Sequence, residues 1–246
     1  MSDDEEPFRV EVTIAAPVDA VWRAMREPEL IRRWHGWDDP ALDAEIDFIY
    51  RQQFTESAGD HTLSAPGGDT FTLHDAGDGR TLVRLVRAPR GTNPEWDAYY
   101  DDINEGWTTF LHQLRFSMER HLGVDRRTVF LEGAVGEAGT PIDALGLAAV
   151  ASLEPGSRYT TELAGEPVAG EVWFRSANQL GLTVDGWNDG LVIIGAAPAS
   201  PARPRGGAMA VLSTYGLDDA SFDALQNRWR PWWSERFAAS EAKADA

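Results

Sequence analysis

The stretch FRVEVTIAAPVDAVWRAMREPELIRRWHGW, residues 8–37, contains a clear change of structural period. Its first seven residues alternate apolar and polar side chains, which predicts a half-buried strand. Ala15-Ala16-Pro17 interrupts this alternation, and a proline in such a position suits the start of a helix. The apolar residues that follow have helical spacing: Val18, Val21, Trp22 and Met25. The stretch therefore predicts a strand followed directly by a short amphipathic helix.

Three later segments of the first half also have strand patterns. They are LDAEIDFIY at 42–50, DTFTLHD at 69–75 and RTLVRLVR at 80–87. Apolar or β-branched residues recur at every second position, and glycine-rich turn signals lie at Gly67-Gly68 and within Asp75–Gly79. This half is therefore predicted to contain a meander of antiparallel strands.

A long amphipathic helix is predicted over Trp96–Leu122. Apolar residues recur there at intervals of three and four, which places them on one helix face. They are Trp96, Tyr100, Ile103, Trp107, Phe110, Leu111, Leu114, Met118 and Leu122. Gly123 is suited to ending the helix. We expect the apolar face to pack onto the sheet.

The second half repeats this order. Pro141–Leu145 matches Pro17–Val21 at an offset of 124 residues. Strands are predicted at 128–135, 171–176, 179–184, 190–197 and 208–216, with an exposed hairpin loop at Pro198–Gly207. A final helix is predicted over Asp218–Ala239, where Asp218 or Asp219 could cap it. The repeat predicts two domains, residues 1–124 and 125–246.

The opening stretch, with its AP-x-x-x-VW helix start, and the helix GWTTFLHQLRFSMERHL at 106–122 resemble the SRPBCC (START-like) superfamily. The branch they resemble is that of the activators of a heat-shock-protein ATPase. The resemblance implies an α+β helix-grip fold, in which a curved seven-stranded antiparallel sheet wraps around a long C-terminal helix. It also implies a cavity for an apolar molecule between sheet and helix. The second copy is divergent, since Gly146 stands where the first has Trp22.

Composition excludes several classes of function. The chain has 40 acidic and 22 basic residues, giving a formal net charge of −18, which repels nucleic acid and anionic membrane surfaces. It has no cysteine, so disulfides, thiolate metal sites and cysteine nucleophiles are excluded. The sequence MSDDEEP lacks the features of a secretory signal, and there is no apolar run long enough to span a membrane. These features predict a cytoplasmic protein.

The chain shows no motif for metal, covalent or nucleotide chemistry. Its five histidines lack paired metal-ligand spacing, and we expect His112 and His121 to lie on the surface. There is no G-x-S-x-G elbow, and no glycine-rich phosphate loop with a lysine. No metal and no cofactor are therefore expected.

The candidate ligand-binding residues combine aromatic side chains with two possible polar anchors, His35 and His74. They are Trp34, His35, Trp37, Tyr50, Phe54, His74, Tyr100, Ile103, Trp107 and Leu111. Ordinary core packing is the alternative for each aromatic residue.

The favoured function is the binding of an apolar or aromatic small molecule. One alternative is a chaperone-associated interaction module. Another is a cyclase or dehydratase enzyme whose acid–base group is His35, His74 or Glu45. The aromatic and basic run NRWRPWW at 227–233 leaves two options open: core packing, or an inter-domain or homodimer interface. A protein partner is also possible in the interaction-module alternative.

Overall fold

The computed structural model describes residues 7–92, 97, 99–200 and 203–238. The chain divides into two compact units between Val124 and Asp125. Each unit has one antiparallel sheet made from its own strands and one long helix after the last strand. The fold is therefore α+β, with two tandem copies of the helix-grip arrangement.

The first unit orders its elements as strand, short helices, meander and long helix. Its strands are β1 (Arg9–Ile14), β2 (Thr55–Ser57), β3 (Thr62–Ser64), β4 (Thr70–Gly77) and β5 (Arg80–Val86). Its helices are α1 (Val18–Ala24), α2 (Pro28–Ile31), α3 (Leu42–Ile46), a π-helix (Asp47–Gln53), a 3₁₀ turn (Ala58–Asp60) and α4 (Tyr100–Arg120). The sheet order is β1-β5-β4-β3-β2. The predicted first strand, first helix and later meander strands are confirmed.

The predicted strand at 42–50 is wrong, because this segment is helical in α3 and the π-helix. Leu42, Ile46 and Tyr50 are buried, while Phe48 is 46% exposed. The buried residues are spaced by four, which is a helical interval hidden inside the alternating pattern. Burial against neighbouring elements selected the helical conformation.

Helix α4 begins at Tyr100 and ends at Arg120, within the predicted range. Trp96 lies outside the described residues. Trp107, Leu111 and Leu114 are buried, as the predicted apolar face requires, and α4 packs against β1. Leu122 lies beyond the helix and is 75% exposed.

The second unit repeats the order with six strands. They are β6 (Arg126–Ala134), β7 (Arg158–Leu163), β8 (Glu166–Arg175), β9 (Gln179–Val184), β10 (Gly190–Ala197) and β11 (Gly207–Tyr215). The helices are α5 (Pro141–Ala144), α6 (Ala148–Ala151), a 3₁₀ turn (Asp185–Trp187) and α7 (Asp219–Ser234). The sheet order is β6-β11-β10-β9-β8-β7. All five predicted strands are confirmed.

Strand β7 was not predicted, because its sequence RYTTEL is mostly polar. It pairs with β8 across Ala164-Gly165, where both residues have positive φ, as a tight two-residue hairpin requires. The described residues form five strands in one sheet and six in the other, rather than the implied seven.

Helix α7 begins after Asp218, whose side chain accepts a hydrogen bond from Ser221 N–H at 2.7 Å. Trp229 and Trp233 are buried in the core of their own unit. Trp232 is half-buried, with the Arg236 guanidinium 4.3 Å from its ring centroid. Core packing therefore accounts for the buried tryptophans, and a homodimer stays a prediction. The predicted helix end, Ala239, lies outside the described residues.

Within the described residues, every helix is too short or too polar to cross a membrane.

Candidate ligand cavity

The first unit contains a cavity of about 250 Å³ between the π-helix, the start of α4 and the loops beside β3 and β5. The π-helix side supplies Phe48, Ile49, Gln53 and the following Phe54. Helix α4 supplies Tyr100, Ile103 and Trp107. The loops and the segment before α4 supply Ala65, Gly67, Asp69, Arg87, Ala88, Pro89, Thr92 and Asp97.

The π-helix shapes one wall of the cavity. It ends with Phe54 N–H donating to the Ile49 carbonyl at 3.1 Å, a bond that spans five residues. Ile49 and Gln53 line the cavity, whereas Tyr50 is buried in the core. Such helices are rare and occur often at functional sites. Adjacent residues of this segment, Ile49 and Tyr50, thus face the cavity and the core respectively.

Aromatic rings form the apolar wall. Trp107 is 7% exposed, and its ring centroid lies 5.0 Å from that of Phe71 in an edge-to-face arrangement. Phe71 in turn contacts Phe54, with centroids 5.5 Å apart. Edge-to-face packing fixes these rings beyond simple burial. The rings of Phe54 and Trp107, which line the cavity, therefore pack against the buried Phe71.

The edge of the cavity carries a cluster of charged side chains, in contrast to the apolar wall. Arg87 is 6% exposed, and its Nε donates to Asp69 Oδ2 at 3.0 Å. Its Nη1 donates to Asn104 Oδ1 at 2.7 Å and to the Tyr100 carbonyl at 3.1 Å. A buried arginine needs such partners, because an unpaired buried charge is costly.

A hydrogen-bonded chain lies behind the apolar wall. The Tyr50 hydroxyl is 3.0 Å from His35 Nδ1, and His35 Nε2 is 3.1 Å from Glu45 Oε1. Burial and the nearby Glu45 carboxylate raise the pKa of Tyr50 well above its usual value, so the phenol stays protonated. The protonated phenol shares a hydrogen bond with Nδ1 of His35, and Nε2 on the other side of the ring faces the Glu45 carboxylate.

The structure brings four of the ten predicted site residues to the cavity: Phe54, Tyr100, Ile103 and Trp107. Four others are buried in the core outside the cavity lining: Trp34, His35, Tyr50 and Leu111. Trp34 Nε1 donates to the Ala24 carbonyl at 2.9 Å. For these four residues, the structure agrees with ordinary core packing.

The remaining two predicted residues do not reach the cavity either. Trp37 is half-buried, with its ring centroid 6.2 Å from that of Phe110. His74 is exposed on β4, and its Nε2 lies 3.0 Å from Thr72 Oγ1. Because Phe71 and Leu73 take the buried positions of that strand, His74 points to the other face.

Sequence reasoning missed Arg87, Asp69 and Gln53. A signal for Arg87 was present, since β5 buries every second residue at Thr81, Val83 and Leu85. Arg87 continues this phase, so it is a charged residue at an apolar position of the pattern. A charge in that position indicates a buried ion pair or a site.

A second hollow of about 420 Å³ has a more charged lining, including Glu11, Arg80, Arg115 and Glu119. His112 also lines it and is half-buried, which corrects the predicted surface placement. Burial, with a contribution from Arg115, lowers the pKa of His112 to about 3. The imidazole is therefore neutral at physiological pH.

No family model and no curated protein match this chain. Among solved structures, DynU16 from the dynemicin biosynthetic locus is 17% identical, with 94% of this chain and 96% of that chain covered and a TM-score of 0.30. The di-domain ARO/CYC protein BexL from the BE-7585A biosynthetic pathway is 11% identical, covering 97% and 99%, with a TM-score of 0.32.

Protein NE0264 from Nitrosomonas europaea is 20% identical and covers 46% of this chain and 94% of its own, with a TM-score of 0.30. These low similarities assign no function to this chain. None of the three is described as a heat-shock ATPase activator, so that branch of the resemblance stays a prediction.

Proposed function

We propose that the first unit binds an apolar or aromatic small molecule in the cavity between its sheet, π-helix and long helix. The observation that supports this is a cavity with an aromatic wall and a charged cluster at its edge. Small-molecule sites have this composition, in which apolar side chains supply most contacts and a few polar groups orient the ligand.

The cavity volume limits the size of the ligand. The cavity volume is about 250 Å³. Pockets for drug-sized ligands occupy roughly 300 to 1,000 Å³. The ligand we propose is therefore a compact molecule with one or two rings.

Binding is favoured over cyclase or dehydratase chemistry by the positions of the acid–base groups. His35, Glu45 and His74 are absent from the cavity lining. The carboxylates that do line it are already engaged, since Asp69 Oδ1 accepts from Ala88 N–H at 2.9 Å and Asp97 Oδ1 from Gly91 N–H at 2.8 Å. Both groups are held as structural acceptors.

Filling the cavity tests this function. Ile103 lines it from the middle of the α4 wall, so Ile103→Trp should occupy the space with an indole ring. The matched control is Leu122→Trp, at a residue that is 75% exposed beyond the helix. Titration with a hydrophobic fluorescent probe should show binding to the wild type and to Leu122→Trp but not to Ile103→Trp.

Equal probe binding by all three proteins would place the probe elsewhere and contradict the proposal. Native mass spectrometry of the protein purified without added ligand complements the titration. We expect a retained neutral molecule in the wild type that is absent from Ile103→Trp.

A further inference from the structure

The hydrogen-bonding capacity of Arg87 is only partly used. A guanidinium carries five N–H donors, one on Nε and two on each terminal nitrogen. The Nε donor goes to Asp69, and the two Nη1 donors go to Asn104 and the Tyr100 carbonyl. Among the described residues, nothing accepts a hydrogen bond from Nη2. Arg87 lines the cavity, and these two donors are the ones that its described partners leave for a bound molecule.

Three hydrogen bonds and one aromatic ring hold the guanidinium in one orientation. The Tyr100 ring centroid lies 4.5 Å from its central carbon, within cation–π range. The Tyr100 hydroxyl donates to the Ala88 carbonyl at 3.0 Å, which ties the ring to the residue after Arg87. A donor held by its neighbours loses little entropy when a ligand binds. Nη2 is therefore a preorganised donor at the cavity edge.

The charge of the cavity lining decides which kind of ligand oxygen would accept a hydrogen bond from Nη2. Asp69 already balances the positive charge of Arg87, and Asp97 lines the cavity as a second carboxylate. Among the described lining residues, one arginine and two aspartates carry a formal charge of −1. A carboxylate ligand would meet a net repulsion there, whereas a neutral carbonyl oxygen would accept the hydrogen bond without adding charge.

We propose that Arg87 Nη2 binds the carbonyl oxygen of a neutral aromatic ketone or aldehyde, whose rings pack against Phe54, Ile103 and Trp107. Asp69 and Asn104 are positioning residues that aim the guanidinium. This inference rests on the function proposed above and defines the class of ligand for the same cavity.

Three bicyclic probes of similar shape test the ligand class on the wild-type protein. They are 2-acetylnaphthalene, which has a carbonyl acceptor, 2-ethylnaphthalene, which has none, and 2-naphthoate, which is anionic. A hydrogen bond from a charged donor is worth about a ten-fold gain in affinity. Calorimetry should show the ketone binding about ten-fold more tightly than the hydrocarbon, and the naphthoate binding least.

The outcomes separate the two proposals. If the hydrocarbon and the ketone bind equally, or the naphthoate binds most tightly, the carbonyl anchor is wrong and the cavity function stands. If none of the three binds to the wild type, both proposals fail. These comparisons need no variant, so they decide the question even if an altered protein does not fold.

A conservative variant assigns the effect to Arg87. Arg87→Lys keeps the charge but loses the second terminal nitrogen of the fork. We expect about a ten-fold loss of ketone affinity and no change for the hydrocarbon. The matched control is Arg84→Lys, three residues earlier on β5, where the arginine pairs with Glu11 away from the cavity. An equal loss for ketone and hydrocarbon in Arg87→Lys would contradict the anchor and indicate a change of cavity shape.

Discussion

The hydroxyl oxygen of Tyr50 lies 3.0 Å from Nδ1 of His35, and the side chain of His35 has no exposed surface. The two rings meet edge to face, with centroids 5.3 Å apart. This contact joins the π-helix to the segment after α2. The hydroxyl of Tyr50, the imidazole of His35 and the carboxylate of Glu45 resemble a catalytic group. In this protein they stabilise the fold.

Tyr50→Phe should lower the free energy of unfolding by about 1 to 3 kcal/mol, because His35 Nδ1 loses its buried hydrogen-bond partner. Urea denaturation measures the change. Tyr99→Phe is the control, since Tyr99 is 50% exposed and should tolerate the loss of its hydroxyl. Equal denaturation midpoints for wild type and Tyr50→Phe would show that the hydrogen bond contributes no stability.

Stability should fall as pH rises above about 10. Burial raises the pKa of Tyr50 well above its usual value and that of Tyr215 to about 12. These groups keep their protons in the folded state while the unfolded chain releases them from the ordinary tyrosine pKa of ~10 upward. Their contribution is complete below pH ~10 and is lost progressively above it.

Urea midpoints measured between pH 8 and 11 should therefore decline at the alkaline end. In Tyr50→Phe the decline should be smaller, because one of the raised groups is gone. A midpoint that stays constant to pH 11 would contradict this account.

Trp22→Ala should cost about 3 to 5 kcal/mol of stability, because a large buried side chain is removed from the first core. Trp22 is 5% exposed, as the sequence predicted, and its ring packs edge to face with His61 at 5.4 Å. A thermal melt measures the loss. An unchanged melting temperature would show that the surrounding residues do not depend on the indole.

Trp107→Leu should weaken binding of a hydrophobic fluorescent probe while the fold stays intact. Leucine keeps the helix face apolar but loses the aromatic contacts with Phe71 and Phe110. Trp232→Leu in the second unit is the matched control and should leave probe affinity unchanged. Equal probe affinities for the wild type and Trp107→Leu would remove Trp107 from the site.

Gly170→Ala should destabilise the second unit by about 1 to 3 kcal/mol or more. A Cβ at Gly170 would lie 1.8 Å from the Thr183 carbonyl oxygen, so β8 and β9 would have to move apart. Gly186→Ala is the control, because a Cβ there meets no atom within 4 Å. Chemical denaturation should separate the two variants clearly, and equal midpoints would rule out the steric conflict.

The local pattern of residues was sufficient to predict the repeated elements of the fold. The periods of β1, α1, β4, β5 and α4 follow from side-chain alternation within each segment, and the long helix has many periodic positions that agree. Five strands of the second sheet followed in the same way from β-branched runs and turn residues. The short polar strands β2, β3 and β7 have no such period and were missed.

Only the tertiary structure decided the conformation of 42–53 and the membership of the cavity. Leu42, Ile46 and Tyr50 satisfy both an alternating and a helical pattern, and the sequence offers no local way to choose between them. Arg87 meets Asp69 and Asn104 because a sheet and a helix bring distant segments together. His74 does not line the cavity, because the buried face of β4 is the one that carries Phe71 and Leu73. The periodicity of a segment indicates which of its faces is buried. The residues that this face contacts depend on how the elements pack together.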